Sequence, residues 1–474
     1  MSKQPQHVVF MNLAATGHLN PTLPVVAELR SRGCEVTYFI DESMRSVVES
    51  AGARWRPFRY ADGDETGTYF TLPKAGIQKY VPEGTPSEQY EPFQFCHLYN
   101  AEALLPTLLE DLASLVPPPQ AIVYDPFLPF GRVAAFVLHL PAITLLTMPG
   151  PGVVAKPSAM TDDWEAKPWV EGPRREIQAR YGIDLLARGI LFEFYSQTMN
   201  IVTTIDELSS PFCSERQLER LEGTPFKNVG SIVDRKVPRV QNAMGAGAKA
   251  VSKIPLDQLD DAVKAGRRVL YVSLGTVATS KVFWERPLGD FAEDNGLSKY
   301  TGKQFTQHVF RVCFEAFGGD PSTLVVLSLG PGEDVLDGLP LVPNNFLVSP
   351  TAPQLEVLAR CDAFVTHGGA NSMHEALGFG VPLAVVPIFG DQPVNAETVA
   401  KAGAGFSFKE PMRTLTVPAL RDAINEMVAD GETNTYRSAA KEIADKLQKA
   451  GGARAAADNI LEQIAMPNAA TAGA

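Results

Sequence analysis

The stretch from Thr351 to Asn395 restricts the fold more than any other part of this chain. Ala363 to Thr366 reads as a buried strand, His367-Gly368-Gly369 breaks it, Asn371 and Ser372 open a helix, and a second apolar strand, Leu383 to Pro387, runs on to Asp391 and Gln392. A strand that feeds a helix through a glycine turn and returns as a strand is the unit from which parallel sheets are built. The first N–H groups of that helix lack intrahelical partners and point beyond the strand's carboxyl end, where the macrodipole favours an anion by roughly 0.3 to 1 kcal/mol. An anion seat is therefore expected at Gly369, Asn371 and Ser372, with His367 as an added donor. Asn371, Ser372 and Glu375 share one helical face, four and three residues apart. Glu375 stands one turn in from the anion, where a carboxylate can accept both hydroxyls of a ribose. Asp391 and Gln392 offer an acceptor pair and an amide suited to sugar hydroxyls.

The amino terminus repeats the pattern. Val8 to Leu13 is a short apolar run, Ala14 to His18 reads as a loop, and Asn20-Pro21 as N-cap and first helical position. The helix is predicted to end at Arg32 before Gly33, and Glu35 to Ile40 resumes as strand. Ligands of open parallel sheets bind at carboxyl ends of strands, which is where His18 falls. Asp125 stands just after another buried run, Ala121 to Tyr124. No G-x-G-x-x-G follows the first strand, which argues against a nicotinamide dehydrogenase.

These motifs resemble the donor-binding signature of the family-1 glycosyltransferases that use UDP-sugars, among them plant secondary-product and bacterial macrolide enzymes. The resemblance rests on A-P-Q at Ala352 to Gln354, T-H-G-G-x-N-S at Thr366 to Ser372, Glu375, G-V-P at Gly380 to Pro382 and D-Q-x-x-N at Asp391 to Asn395. It implies the GT-B fold, with two Rossmann-like domains facing a cleft, and an inverting transfer of a hexosyl group, glucose foremost, from a UDP-sugar to a hydroxyl of a hydrophobic small molecule. It implies that G-H-x-N-P at Gly17 to Pro21 is the catalytic-histidine loop and that Asp125 orients His18. Gly17, Thr276, Gln354, His367, Gly369, Asn371, Ser372, Glu375, Asp391 and Gln392 become donor-binding candidates. Thr351 stands where the family carries the tryptophan that stacks on uracil, which leaves the base to backbone around Gln354 or to another ring.

The chemistry suits these residue types. Attack by an acceptor hydroxyl on an anomeric carbon needs a proton removed, and imidazole, with an unperturbed pKa of about 6.5, can do so near neutral pH. A carboxylate on the other ring nitrogen fixes the tautomer. The charge that develops on UDP is met by the turn at His367 to Ser372 and by Gly275-Thr276, which follows the strand Val269 to Leu274. No D-x-D pair is placed to hold a metal at the phosphates, so no metal and no cofactor are expected. Two other readings keep the same fold. A sugar-nucleotide 2-epimerase would want catalytic carboxylates in place of a strand-one histidine, and a non-catalytic UDP-sugar-binding auxiliary protein would be marked by loss of His18 or Asp125.

At 474 residues the chain is too long for one core. Strand and helix signals alternate in both halves, which predicts two doubly wound parallel sheets. The expected division, with the roles that the resemblance implies, is an acceptor domain over 1–233, a linker over 234–252, a donor domain over 253–448, a helix over 449–466 that in the family returns to the first domain, and a disordered tail over 467–474. The final helical stretch, Ala439 to Ile464, resembles the family's terminal helix. A net charge of −12 argues against nucleic acid or an anionic membrane as partner. Five cysteines without a C-x-x-C, a polar start and no apolar run of about 18 residues fit a cytoplasmic protein with no membrane anchor. Tyr60 to Tyr99, rich in aromatics, falls where the family builds its acceptor pocket, and Trp284 to Thr306 reads as a long loop near the donor turn.

Overall fold

The computed structural model describes residues 5–60, 78–86, 93–152, 163–187, 193–209, 219–240, 252–276, 279–332, 334–429 and 434–466. Much of the aromatic segment Tyr60 to Tyr99, most of the expected linker and the tail lie outside them. The chain forms two compact units, one of residues 1–203, 211–239 and 451–474, the other of 204–210 and 240–450.

The first unit holds a seven-stranded sheet: β1 (His7–Met11), β2 (Glu35–Phe39), β3 (Arg54–Arg56), β4 (Ala121–Tyr124), β5 (Ala142–Leu146), β6 (Met199–Val202) and β7 (Phe226–Asn228). Their order is β3-β2-β1-β4-β5-β6-β7, every pairing parallel. The chain winds outward in one direction from β1 and in the other from β4, so the order reverses at the β1/β4 pair. The loops that follow two such strands diverge to opposite sides and leave a crevice at their carboxyl ends.

The segment after β1 differs from the loop that its sequence suggests. Thr16–Leu19 forms one helical turn, α1, and α2 spans Thr22–Ser31 with Pro21 at its N-cap. Asn20 is itself helical and its N–H reaches the Thr16 carbonyl at 3.1 Å, so it closes α1 and does not cap α2. Pro21 has the φ of a helix but no N–H, which divides the two without turning the chain away. The Thr22 hydroxyl donates to the Leu19 carbonyl across that division.

The second unit holds a six-stranded sheet of β8 (Arg268–Ser273), β9 (Thr323–Ser328), β10 (Phe346–Ser349), β11 (Ala363–Thr366), β12 (Leu383–Val385) and β13 (Gly405–Ser407). The order is β10-β9-β8-β11-β12-β13, again all parallel, with its reversal at the β8/β11 pair. Both faces are covered. On β8, Leu270 and Val272 enter one core and Val269 and Tyr271 the other, which is why the strand reads as an uninterrupted apolar run. Residues 204–209 also belong to this unit: Ile205 and Leu208 are buried in its core, and Glu207 pairs with Lys446 at 2.8 Å.

Two further expectations about elements are corrected. Trp284 to Thr306 is not a loop. A helix over Lys281–Trp284, a 3₁₀ segment over Gly289–Asn295 and the start of a helix over Gly302–Phe317 occupy it. Trp284, Leu288, Ala292, Leu297 and Phe305 are all in the core, and the Thr301/Gln304 capping box opens the last helix. The stretch Ala439 to Ile464 is two helices. The first ends at Lys449, Gly451 and Gly452 have φ of +95° and +52°, and the second runs from Gly452 to Ala465. Left-handed backbone at a glycine pair stops a helix whose flanking residues would otherwise continue it.

Candidate active site

In the first unit the reversal point carries His18 and Asp125. Met11 pairs with Tyr124 in register, the Asp125 N–H donates to the Met11 carbonyl at 2.9 Å, and the side chain therefore emerges beside the end of β1. His18 lies on α1, with Gly17 beside it, and its Nδ1 is 2.6 Å from Asp125 Oδ2. Asp125 is buried, its side chain fully so, while the His18 side chain keeps 20% of its surface. A carboxylate on Nδ1 makes that nitrogen the N–H donor and leaves the lone pair on Nε2. Asp125 also acts locally: its Oδ1 accepts the Phe127 N–H at 2.9 Å, so one carboxylate shapes the turn after β4 and holds the imidazole. Phe127 packs against the ring at 5.3 Å between centroids.

Asn12, which the sequence reading passed over, secures the histidine from below. Its Nδ2 donates to the His18 carbonyl at 3.1 Å and its Oδ1 accepts the Leu13 N–H at 2.6 Å. The available signal was a polar residue closing an otherwise apolar strand.

In the second unit the turns after β8 and β11 meet at His367. A side chain at Gly275 would place its Cβ 2.6 Å from His367 Nε2, and one at Gly369 would do the same; Gly275 also has φ +72°. The imidazole thus lies between two glycine backbones. Burial pushes its pKa down to about 4, against a smaller upward effect from a hydrogen bond to the Ser273 backbone. Thr276 follows in the β8 turn, half-buried.

The helix after this turn, α3, spans Ala370–Gly378 with Gly369 as N-cap. It carries Asn371 and Ser372, both half-buried, and Glu375, which is buried. Gln354 opens a short helix over Gln354–Leu358 and joins the group: its Nε2 donates to Glu375 Oε2 at 2.7 Å and to Ser372 Oγ at 3.3 Å. His374, on the same helix, bridges the Ala370 carbonyl at 2.7 Å and the Thr204 hydroxyl at 2.8 Å.

Asp391 and Gln392 are partly committed to the fold. Asp391 Oδ2 accepts the Ala370 N–H at 3.1 Å and Asn395 Nδ2 at 2.8 Å, so an internal carboxylate takes one N–H at the start of α3. Gln392 is buried and its Oε1 accepts the Ile388 N–H at 2.9 Å. Asn395 also donates to the Gly368 carbonyl at 2.8 Å, which ties the β11 turn to the turn after β12. Among the described residues, no group of three or more His, Cys, Asp or Glu is gathered to hold a metal ion. Thr351 is buried, with no aromatic ring at its position.

The chain is similar to known glycosyltransferases over most of its length. A family model for the erythromycin biosynthesis protein CIII-like C-terminal domain matches residues 324–462. The uncharacterized UDP-glucosyltransferase YojK of Bacillus subtilis is 27% identical, with 97% of each chain covered. The oleandomycin glycosyltransferase of Streptomyces antibioticus is 29% identical over 97% of this chain and 91% of its own. Among solved structures, the glycosyltransferase of kitacinnamycin superposes with a TM-score of 0.66 at 23% identity, covering 97% of this chain and 99% of that one.

Proposed function

Because the chain belongs to the family-1 type of GT-B glycosyltransferases, we propose that it moves a hexosyl group, glucose foremost, from a UDP-sugar to a hydroxyl of a lipophilic small molecule such as a phenol, flavonoid or macrolide, with inversion. The observation that carries this reading is the 2.6 Å His18–Asp125 pair at the reversal point of the first sheet. The names of the relatives, one an uncharacterized UDP-glucosyltransferase and one an oleandomycin glycosyltransferase, support the donor and acceptor classes.

In this mechanism Nε2 of His18 takes the proton of the acceptor hydroxyl as its oxygen attacks the anomeric carbon. The bond from that carbon to the β-phosphate oxygen breaks on the opposite face and UDP leaves. Asp125 stabilises the imidazolium and keeps Nε2 as the basic nitrogen. The N–H groups at the start of α3 other than that of Ala370, which Asp391 holds, and the turn at Gly275-Thr276 meet the charge on the leaving diphosphate, and Glu375 and Gln354 take the ribose. Asp391 and Gln392 address the hydroxyls of the sugar. No step calls for a metal. Neither an epimerase nor a non-catalytic auxiliary protein is favoured by any feature of the two sites.

The test is His18→Ala. A positioned general base is worth roughly 10² to 10⁴ in rate, so turnover with an alcohol acceptor should fall by about that factor while UDP affinity stays at the wild-type value. Asp125→Ala should fall less. An acceptor already ionised at the assay pH, such as an acidic phenol or thiol, should partly rescue the His18 variant. Wild-type turnover of both acceptors by His18→Ala would remove the base assignment.

A further inference from the structure

The hydrogen bonds behind Glu375 extend one residue deeper than the donor signature. Tyr271 is buried on β8 with its ring stacked on Phe364 of β11, centroids 4.5 Å apart and planes 13° from parallel. Its hydroxyl donates to Gln354 Oε1 at 3.2 Å. A primary amide has an acceptor end and a donor end, so a hydroxyl that donates to the oxygen turns the NH₂ group the opposite way. Here the opposite way is toward Glu375 Oε2 and Ser372 Oγ. A reversed amide would set its oxygen against the Glu375 carboxylate, which offers no proton when ionised. The accept-only carboxylate thus sets which end of the amide faces it, and the Tyr271 hydroxyl anchors the other end to the sheet, so that Gln354 holds the carboxylate in place.

We propose that Tyr271 is a positioning residue that sets the preference for ribonucleotide over 2′-deoxyribonucleotide donors, acting through Gln354 on Glu375. This rests on the reading of Glu375 as the ribose acceptor. A carboxylate spans two vicinal hydroxyls only if its plane is held, and a 2′-deoxyribose offers it one hydroxyl in place of two. Rigidity imposed through Tyr271 therefore benefits the ribonucleotide selectively. A role confined to packing would affect both nucleotides alike.

The experiment is calorimetric titration of UDP and 2′-deoxyuridine diphosphate against the full-length wild-type protein, Tyr271→Phe, Gln354→Met and Glu375→Gln. Tyr271→Phe keeps the stack on Phe364 and removes only the hydroxyl. UDP affinity should fall about three- to tenfold, affinity for the deoxynucleotide much less, and the ratio of the two should move toward one. Gln354→Met, which removes the middle of the chain of bonds without touching the sheet, should lower the ratio in the same way. A wild-type ratio in Tyr271→Phe, or an equal loss for both nucleotides, overturns the proposal. A wild-type ratio in Glu375→Gln overturns the ribose reading beneath it, whereas a changed ratio there with none in Tyr271→Phe overturns the role of Tyr271 alone.

Discussion

His367 shows how burial changes what a residue can offer. The imidazole lies between Gly275 and Gly369, and burial lowers its pKa to about 4, so the ring is neutral at neutral pH. A neutral imidazole has one N–H and one acceptor nitrogen, and a phosphate oxygen beside the ring favours the protonated form, in which both nitrogens donate. The dianionic donor should therefore raise the pKa of His367 on binding. A group whose pKa is higher in the complex makes binding take up a proton, and affinity then falls as pH rises through the complex's pKa. We expect UDP-glucose, which lacks the terminal phosphate that titrates at about pH 6 in UDP, to bind more tightly as pH is lowered from neutrality toward the free-state value of about 4. The slope should be absent in His367→Asn. An identical slope in that variant would show that another group takes the proton.

At the scale of elements, both candidate sites are built from turns at strand ends, and the tolerance of those turns is narrow. Gly275 combines φ +72° with the ring of His367 where a Cβ would stand. Gly275→Ala must displace either the turn or the imidazole, since a Cβ contact of 2.6 Å is not accommodated in place. UDP affinity should fall about tenfold or more, with the unfolding midpoint lowered only modestly because the residue lies beyond the end of β8. Wild-type UDP affinity in this variant would separate the Gly275 turn from the donor site. The segment Trp284 to Thr306 is the opposite case, since its charged and aromatic residues look like a loop while its buried ones, Trp284 and Leu288 among them, face the core.

For the whole molecule, the last helix, Gly452–Ala465, is counted with the first unit although it follows the second in sequence. It packs on α2, β4 and β6 and buries Ala456, Ala457 and Ile460. The Gly452 N–H reaches the Val229 carbonyl at 2.7 Å, and Asp458 pairs with Arg32 at 2.5 Å. That ion pair is solvent-exposed and adds little; burying Ile460 contributes roughly 1.5 to 3 kcal/mol. Ending the chain at Ala450 should lower the unfolding midpoint of the first unit while UDP binding by the second persists. Loss of UDP binding in step with the loss of stability would show that the units do not unfold separately.

Local chemistry was enough to read the strands and turns. Runs such as Ala363–Thr366, Ala121–Tyr124 and Thr323–Ser328 are apolar because both faces of a parallel sheet are covered, and Gly368, Asp125-Pro126 and Gly330 after them mark where the chain turns. Those two signals located His18, Asp125 and the residues from His367 to Glu375 at strand ends. They could not show that Asn20 closes a helix and does not open one, since the bond from its N–H to Thr16 exists only once the turn has formed. Nor could they show that Asp391 turns inward to the Ala370 N–H, or that Asn12 and Tyr271 stand behind His18 and Gln354. Periodicity and turn chemistry act between residues a few positions apart and are legible in one dimension. A hydrogen bond between residues 83 positions apart, as from Tyr271 to Gln354, depends on strand order and side-chain reach, which only the folded chain decides.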